Sequence, residues 1–99
     1  MARVALIVEF KLKPGAWAKF NEIIRAHAAG TKADEPGCEQ FDVLQPETDG
    51  TPDHSRVMLV EVYTNAAAFE MHTKSQRLVN TRAAYADLVE SRVITRCVL

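Results

Sequence analysis

Three side chains with acid–base chemistry lie close together in the sequence: the carboxylate of Glu61, the phenol of Tyr63 and the imidazole of His72. They follow or extend an unbroken apolar run at residues 57–60, and such a run predicts a strand covered on both faces. Thr64 and Asn65 precede three alanines, and either is a favourable helix N-cap. The sequence therefore predicts a buried strand that leads directly into a short helix, and we expect any reactive pocket to lie at this junction.

The size and charge of the chain restrict the classes of protein it can belong to. Its 99 residues suit one domain, residues 1–99. The 12 basic and 13 acidic side chains give a net charge of -1, which predicts neither a nucleic-acid nor an anionic membrane partner. No window approaches the roughly 18 apolar residues of a membrane span, and the N-terminal segment meets an acid, Glu9, too early for a signal peptide. We expect a cytoplasmic protein.

The cysteines and histidines show no spacing typical of a metal site. Cys38 and Cys97 are far apart in the sequence and do not form a motif such as Cys-x-x-Cys. Both are therefore interpreted as small buried hydrophobic residues. A metal site built from His27, His54 and His72 would require three distant segments to converge. We therefore predict no metal, a packing role for His27 on an apolar helical stripe and a solvated position for His54.

The periodicity of apolar residues predicts the elements that position the junction. Alternation indicates strands and wider spacing indicates helices. The predicted segments are a strand at 3–13, a helix from 16 that residues 30–35 end, an edge strand at 38–45, a loop at 46–55, a strand at 56–63, helices at 65–72 and 76–90, and a strand at 91–99. This β-α-β-β-α-β order is that of a ferredoxin-like α+β domain with a four-stranded antiparallel sheet. Right-handed crossovers place the first and third strands at its centre.

The first strand carries apolar residues on both sides, Val8 and Phe10 but also Ala5 and Ile7. Two helices on one face of the sheet leave the other face bare, and a monomer would expose it. We therefore expect a second copy of the chain to cover that face, giving a symmetric homodimer of sheets.

At this level the sequence resembles the antibiotic biosynthesis monooxygenase family, small dimeric α+β barrel proteins that include cofactor-free quinol monooxygenases. The resemblance runs essentially from end to end. The motifs that carry it are Lys13-Pro14-Gly15, the turn Glu35-Pro36-Gly37-Cys38 leading to Phe41, and Glu61-x-Tyr63 followed by Ala68-Phe69-x-x-His72-x-x-Ser75.

The resemblance implies an apolar pocket between the helices and the sheet. In this pocket dioxygen would oxidise a small aromatic or quinone-like substrate, such as a quinol or another electron-rich polyphenol. The family carries out this reaction without a metal or flavin. His72 is the implied base or hydrogen-bond donor, because an imidazole serves both roles near neutral pH. Glu61 is the second catalytic candidate, orienting His72 or holding its charge. Candidates for substrate binding are Tyr63 and Asn65 for a substrate oxygen and Trp17, Phe20, Phe41, Phe69 and Tyr85 for an aromatic lining.

Other interpretations of the same residues stay open. His72 could tie the short helix to Glu61 or to a carbonyl, and Glu61 could pair with Arg56 or Arg82 at a dimer contact. The aromatic side chains could be core alone. Relatives of this fold have several activities. A non-oxidative isomerase or lyase using His72 as a proton shuttle, a haem-degrading enzyme with an axial histidine and a non-catalytic ligand-binding dimer are the alternative functions.

Overall fold

A computed structural model describes residues 2–99. The four long strands are β1 Val4–Leu12, β2 Cys38–Leu44, β5 Arg56–Tyr63 and β6 Val89–Val98, and a small ribbon consists of β3 Glu47–Thr48 and β4 Thr51–Pro52. The helices are α1 Trp17–Asp34, α2 Ala66–Thr73 and α3 Gln76–Tyr85, followed by a 3-10 turn at Ala86–Leu88.

The main sheet is antiparallel with strand order β2-β5-β1-β6, so the expected ferredoxin-like α+β fold is confirmed and the first and third long strands are central. Register places Leu6 of β1 opposite Glu61 of β5 on one side and opposite Arg96 of β6 on the other. Side chains alternate between faces along a strand. The even-numbered residues of β1 therefore meet the helices and form the core, together with residues of α1 and β5: Val4, Leu6, Val8, Phe10, Leu12, Phe20, Ile24, Val57 and Leu59.

The first helix is longer than the sequence pattern predicts. It continues through Gly30 and ends at Asp34, with Glu35 in an extended conformation as its C-cap. A glycine inside a helix costs only about 1 kcal/mol, and Thr31 beyond it is fully buried, which anchors the last turns. Pro36 ends the helix because a proline disfavours helical geometry at the preceding residue.

The last helix is shorter than predicted, and the final strand begins two residues earlier. Lys13 donates its backbone N–H to the carbonyl of Leu88 at 3.0 Å, and Val89 pairs with Leu12. The backbone groups of residues 88 and 89 are thus hydrogen-bonded to the end of β1 and the residue after it, so they are not free to continue the helix to residue 90. The predicted loop at 46–55 contains the β3–β4 ribbon, where Asp49 and Gly50 have positive φ, as a tight hairpin turn requires.

The cysteines lie on the two opposite edge strands and are both free. Cys38 is buried as expected, but Cys97 is exposed, so the prediction that it is buried is wrong. The reason is that Cys97 pairs with Ala5 and so lies on the face of the sheet opposite the helices, on an edge strand where every residue after Val89 is exposed. None of the helices formed by residues 2–99 is long and apolar enough to cross a membrane.

Candidate active site

Two tight chain reversals bring the C-terminal end of α1 against α2. Thr64 donates its backbone N–H to the carbonyl of Gly37 at 2.9 Å, which ties the turn before β2 to the turn after β5. A Cβ atom at Gly37 would overlap the Cβ of Ala68 in the first turn of α2. Glycine is therefore needed for this close approach, and the result is that Glu35, beside the turn, reaches His72 on α2.

His72 is buried between two carboxylates. Its Nδ1 lies 3.0 and 3.1 Å from the two carboxylate oxygens of Glu35, and its Nε2 lies 3.9 Å from Oε1 of Glu61. A carboxylate only accepts hydrogen bonds, so this contact assigns the proton of a neutral imidazole to Nδ1. Nε2 is then left as a free lone pair beside Glu61.

Glu61 is held in turn by Tyr63, whose hydroxyl donates to Oε1 of Glu61 at 2.7 Å. Glu61 is 4% exposed and Tyr63 is fully buried. Burial raises the pKa of Glu61 above its usual range, although the hydrogen bond from Tyr63 and the neighbouring His72 and Arg82 side chains oppose this. Burial and the Glu61 charge raise the pKa of Tyr63, so the phenol stays a donor. We call these three buried residues, His72, Glu61 and Tyr63, together with the partly buried Glu35 the buried tetrad.

A second histidine packs beside the buried tetrad. The ring of His27 lies 5.6 Å from that of His72, and its Nδ1 is 3.0 Å from the hydroxyl of Thr81. Burial, with smaller contributions from His72, Arg77 and Arg82, lowers the pKa of His27 to about 4. His27 is therefore a neutral residue in the wall of the site at physiological pH, consistent with its expected packing role.

A cavity lies between the helices and the sheet, with residues of the buried tetrad in its wall. Its interior is about 60 Å³, within a recess of about 500 Å³ that includes solvent at the mouth. One water needs about 10–15 Å³, so the interior holds a few waters, and a ring-sized ligand must extend toward the mouth. The lining is mainly apolar, with polar or charged contributions from His27, Glu61, His72, Thr73, Thr81, Arg82 and Arg92.

The structure places four of the nine site residues suggested by the sequence in the wall of this cavity: Glu61, Phe69, His72 and Tyr85. Tyr63 lies directly behind Glu61. Phe41 packs edge-on against His27 and is in the same aromatic cluster as His72, whereas Phe20 is fully buried between Phe10 and Tyr85.

The two remaining candidates lie elsewhere. The side chain of Asn65 accepts the backbone N–H of Ala68 as the N-cap of α2. The ring of Trp17 stacks on His54 at 3.9 Å between centroids, and its indole N–H donates to Gln45. His54 is exposed on one side, as expected, but this stack occupies the other.

The sequence does not identify Glu35, Thr73, Thr81 and Arg92 as site residues, and it suggests Arg82 only as an ion-pair partner of Glu61. Glu35 stands in a turn motif, but nothing in the pattern indicates that its side chain turns back toward α2. Arg82 and Arg92 have the ordinary appearance of solvated surface arginines. No group of three or more His, Cys, Asp or Glu side chains within residues 2–99 is placed to hold a metal ion.

Comparisons with known proteins agree with this architecture. The chain matches the family model described as antibiotic biosynthesis monooxygenase over residues 3–92. A search of curated protein sequences gives no significant match.

Three solved structures illustrate the likeness. A protein from Pseudomonas aeruginosa has a TM-score of 0.88 and 21% identity, covering 100% of this chain and 95% of that chain. A candidate antibiotic biosynthesis monooxygenase from Nitrosomonas europaea has a TM-score of 0.86 and 26% identity, covering 98% and 89%. A protein from Bacteroides fragilis, described as dimeric with a ferredoxin-like fold and of unknown function, has a TM-score of 0.80 and 17% identity, covering 98% and 96%.

The structures below 25% identity establish the fold alone, whereas the family model spans nearly the whole sequence. The chain belongs to the antibiotic biosynthesis monooxygenase family.

Proposed function

We propose that this protein is a cofactor-independent monooxygenase that oxidises a quinol, or another electron-rich polyphenol, with dioxygen. The observation that carries the proposal is the buried tetrad beside an apolar cavity: Glu35 lies 3.0 Å from Nδ1 of His72, and this contact assigns the proton of a neutral ring to Nδ1 and leaves Nε2 as the basic nitrogen. A base fixed in one tautomer is what removal of a phenolic proton requires. The family assignment supports the same class of reaction.

The proposed reaction needs only the substrate and dioxygen as redox partners. Nε2 of His72 takes a hydroxyl proton, and the resulting phenolate transfers one electron to dioxygen. The substrate radical and superoxide recombine into a ring peroxide, whose O–O bond breaks with loss of water. One quinol and one dioxygen then give one hydroxyquinone and one water, so that one oxygen atom stays on the ring and the other leaves with two hydrogens.

The charges around His72 suit both stages of this reaction. Once protonated, the imidazole is a counter-charge for the phenolate, and Glu35 offsets that charge from the opposite side of the ring. The apolar walls formed by residues such as Leu6, Val8 and Leu59 limit water around the anion. Tyr63 keeps Glu61 oriented beside Nε2.

Oxygen uptake with a panel of hydroquinones tests the proposal. The expected result is consumption of one dioxygen per quinol, no hydrogen peroxide, and one labelled oxygen atom in the product from isotopically labelled dioxygen. Production of peroxide with no label in the product would indicate a simple oxidase. No uptake above the uncatalysed rate with any member of the panel would contradict the proposal.

The proposed assembly is a homodimer that covers the face of the sheet opposite the helices. Ile7 and Val60 are neighbours on this face, and Val93 of the edge strand is 54% exposed there. No helix packs on them, and burial of such a patch favours association. Sedimentation should give twice the 11.0 kDa mass of the chain, and Val60→Glu should give monomers. A wild-type protein that sediments as 11.0 kDa at micromolar concentration would contradict the dimer.

A further inference from the structure

Three exposed arginines lie in or beside the cavity lining, and we call them the arginine rim: Arg82, Arg92 and Arg96. Arg82 and Arg92 belong to the cavity lining. The guanidinium of Arg96 lies 5.2 Å from the ring centroid of Phe69, which also lines the cavity. Three positive charges from α3 and β6 are thus in the solvent-exposed part of the cavity wall or next to it.

Two arginines of the rim, Arg92 and Arg96, contact uncharged aromatic partners. Arg92 donates to the hydroxyl of Tyr85 at 3.0 Å, and Arg96 packs on Phe69. Within residues 2–99, no carboxylate lies within ion-pair distance of the three guanidinium groups. Several other surface cations do have carboxylate partners, in the pairs Arg3–Glu39, Lys11–Glu90, Lys19–Glu22, Lys74–Glu70 and Arg77–Asp34. The rim therefore has positive charge without a carboxylate partner, and guanidinium N–H donors, beside the cavity.

The buried end of the cavity has the opposite character. Glu61 is the one carboxylate in the cavity lining formed by the described residues. In the sheet, Leu6 lies between Glu61 and Arg96, so the two charged residues are two strand spacings apart, about 10 Å between backbones. An anion is attracted to the outer end and repelled from the inner one. A single ring with a short acidic arm has the length to place its hydroxyl near His72 and its charge at the rim.

The geometry points to an anionic substrate: a hydroxylated single-ring aromatic whose carboxylate binds the arginine rim while its phenolic hydroxyl faces His72 and Glu61. The proposed function supplies the role of the hydroxyl end, and this inference rests on it in that respect. The rim adds selectivity, because a neutral quinol leaves the guanidinium groups without a partner. Arg82 and Arg92, from two different elements, fix which end of the ligand enters first.

Binding of 2,5-dihydroxyphenylacetate and of its methyl ester, measured by anaerobic titration calorimetry, tests this inference without turnover. The methylene group separates the acid or ester from the ring, so the electronic properties of the ring are nearly the same and the two ligands differ chiefly in charge. The acid should bind about ten- to a hundredfold more tightly than the ester, as for charge-assisted hydrogen bonds. The preference should decrease as salt rises from 50 to 500 mM, because exposed charges are screened.

Substitutions in the arginine rim test which residues cause the preference for the acid over the ester. Arg82→Gln and Arg92→Gln should each weaken binding of the acid and leave that of the ester nearly unchanged, whereas Arg25→Gln on the outer side of α1 should change neither. Should Arg92→Gln fail to fold, Arg82→Gln and Arg92→Lys provide the same comparison. Equal affinity for acid and ester, no binding of either, or equal weakening of both by Arg82→Gln overturns the inference. A selective acid site in a protein that consumes no oxygen would instead overturn only the proposed oxygenase function.

Discussion

Tyr63 donates a 2.7 Å hydrogen bond to the carboxylate of Glu61, two residues earlier on the same strand. The pair is possible because residues i and i+2 of a strand project from the same face. It gives a buried carboxylate a partner within its own strand and leaves its other side free for His72. The remaining features of the candidate site follow from how α1 and α2 close over this pair.

Tyr63→Phe should destabilise the protein by about 1–3 kcal/mol, because the substitution leaves a buried carboxylate without its donor while the ring packing is retained. Chemical denaturation measures the change. Tyr85→Phe is the matched control, since its hydroxyl accepts a bond from the exposed Arg92, and about 1 kcal/mol or less is expected. Equal losses for the two variants would show that the Tyr63–Glu61 bond has no special weight.

Glu61→Gln should stabilise the fold at neutral pH and reduce activity. Burial raises the pKa of Glu61 in the folded protein, so the folded state is penalised where the carboxylate is ionised, and this penalty disappears as pH falls through the raised pKa. We expect a gain of roughly 1 kcal/mol at pH 7 that diminishes toward acid pH. Glu70→Gln, exposed on α2, is the control. A gain that persists unchanged at acid pH would contradict the sign of the shift.

Glu35→Gln tests whether Glu35 is a positioning residue for His72. The amide keeps one acceptor oxygen for Nδ1 but removes the charge that supports the protonated ring. We expect kcat to fall by about tenfold or more with little change in KM, since Glu35 is outside the cavity lining. Glu39→Gln, on the exposed side of β2, should leave both constants unchanged. An increase in KM at constant kcat would indicate that Glu35 contacts the substrate instead.

His27 should make stability depend on pH between about 6.5 and 4. Its pKa is lowered from 6.5 to about 4 in the folded state, so the unfolded chain binds a proton first and stability falls as pH decreases through this window. The loss is on the order of 1–3 kcal/mol by pH 4. The groups responsible for the lowered pKa beyond burial itself are His72 on α2 and Arg77 and Arg82 on α3. His27→Gln should flatten the stability profile obtained by denaturation at each pH, and an unchanged slope would contradict this assignment.

The fold could be predicted from the sequence because the patterns that specify its strands and helices involve residues close together in the chain. The alternation in β1 and the apolar run of β5 specify central strands, and Asn65 forms the predicted N-cap of α2. The errors occurred where a distant contact decides the structure. The 3-10 turn ends α3 early because Leu88 pairs with Lys13, more than seventy residues away along the chain.

The candidate site was less predictable than the fold. The junction of β5 and α2 identified Glu61, Tyr63 and His72, since their spacing is local. The contact between Glu35 and His72 depends on the close approach of the turn to α2 that Gly37 permits. No periodicity in the sequence predicts this contact. Trp17 was suggested for the lining because it is a large aromatic residue, but its ring stacks on His54.

The most direct test of the central claim is steady-state oxygen consumption by His72→Asn compared with His54→Asn. His72 is a buried imidazole in the cavity lining, and His54 is an exposed one on a distant loop. With a hydroquinone that the wild type oxidises, the His72 variant should lose activity by about 10²–10⁴-fold, the usual contribution of a positioned general base. The His54 variant should retain the wild-type rate. A folded His72→Asn protein that consumes oxygen as fast as the wild type would contradict the role of His72 as the base.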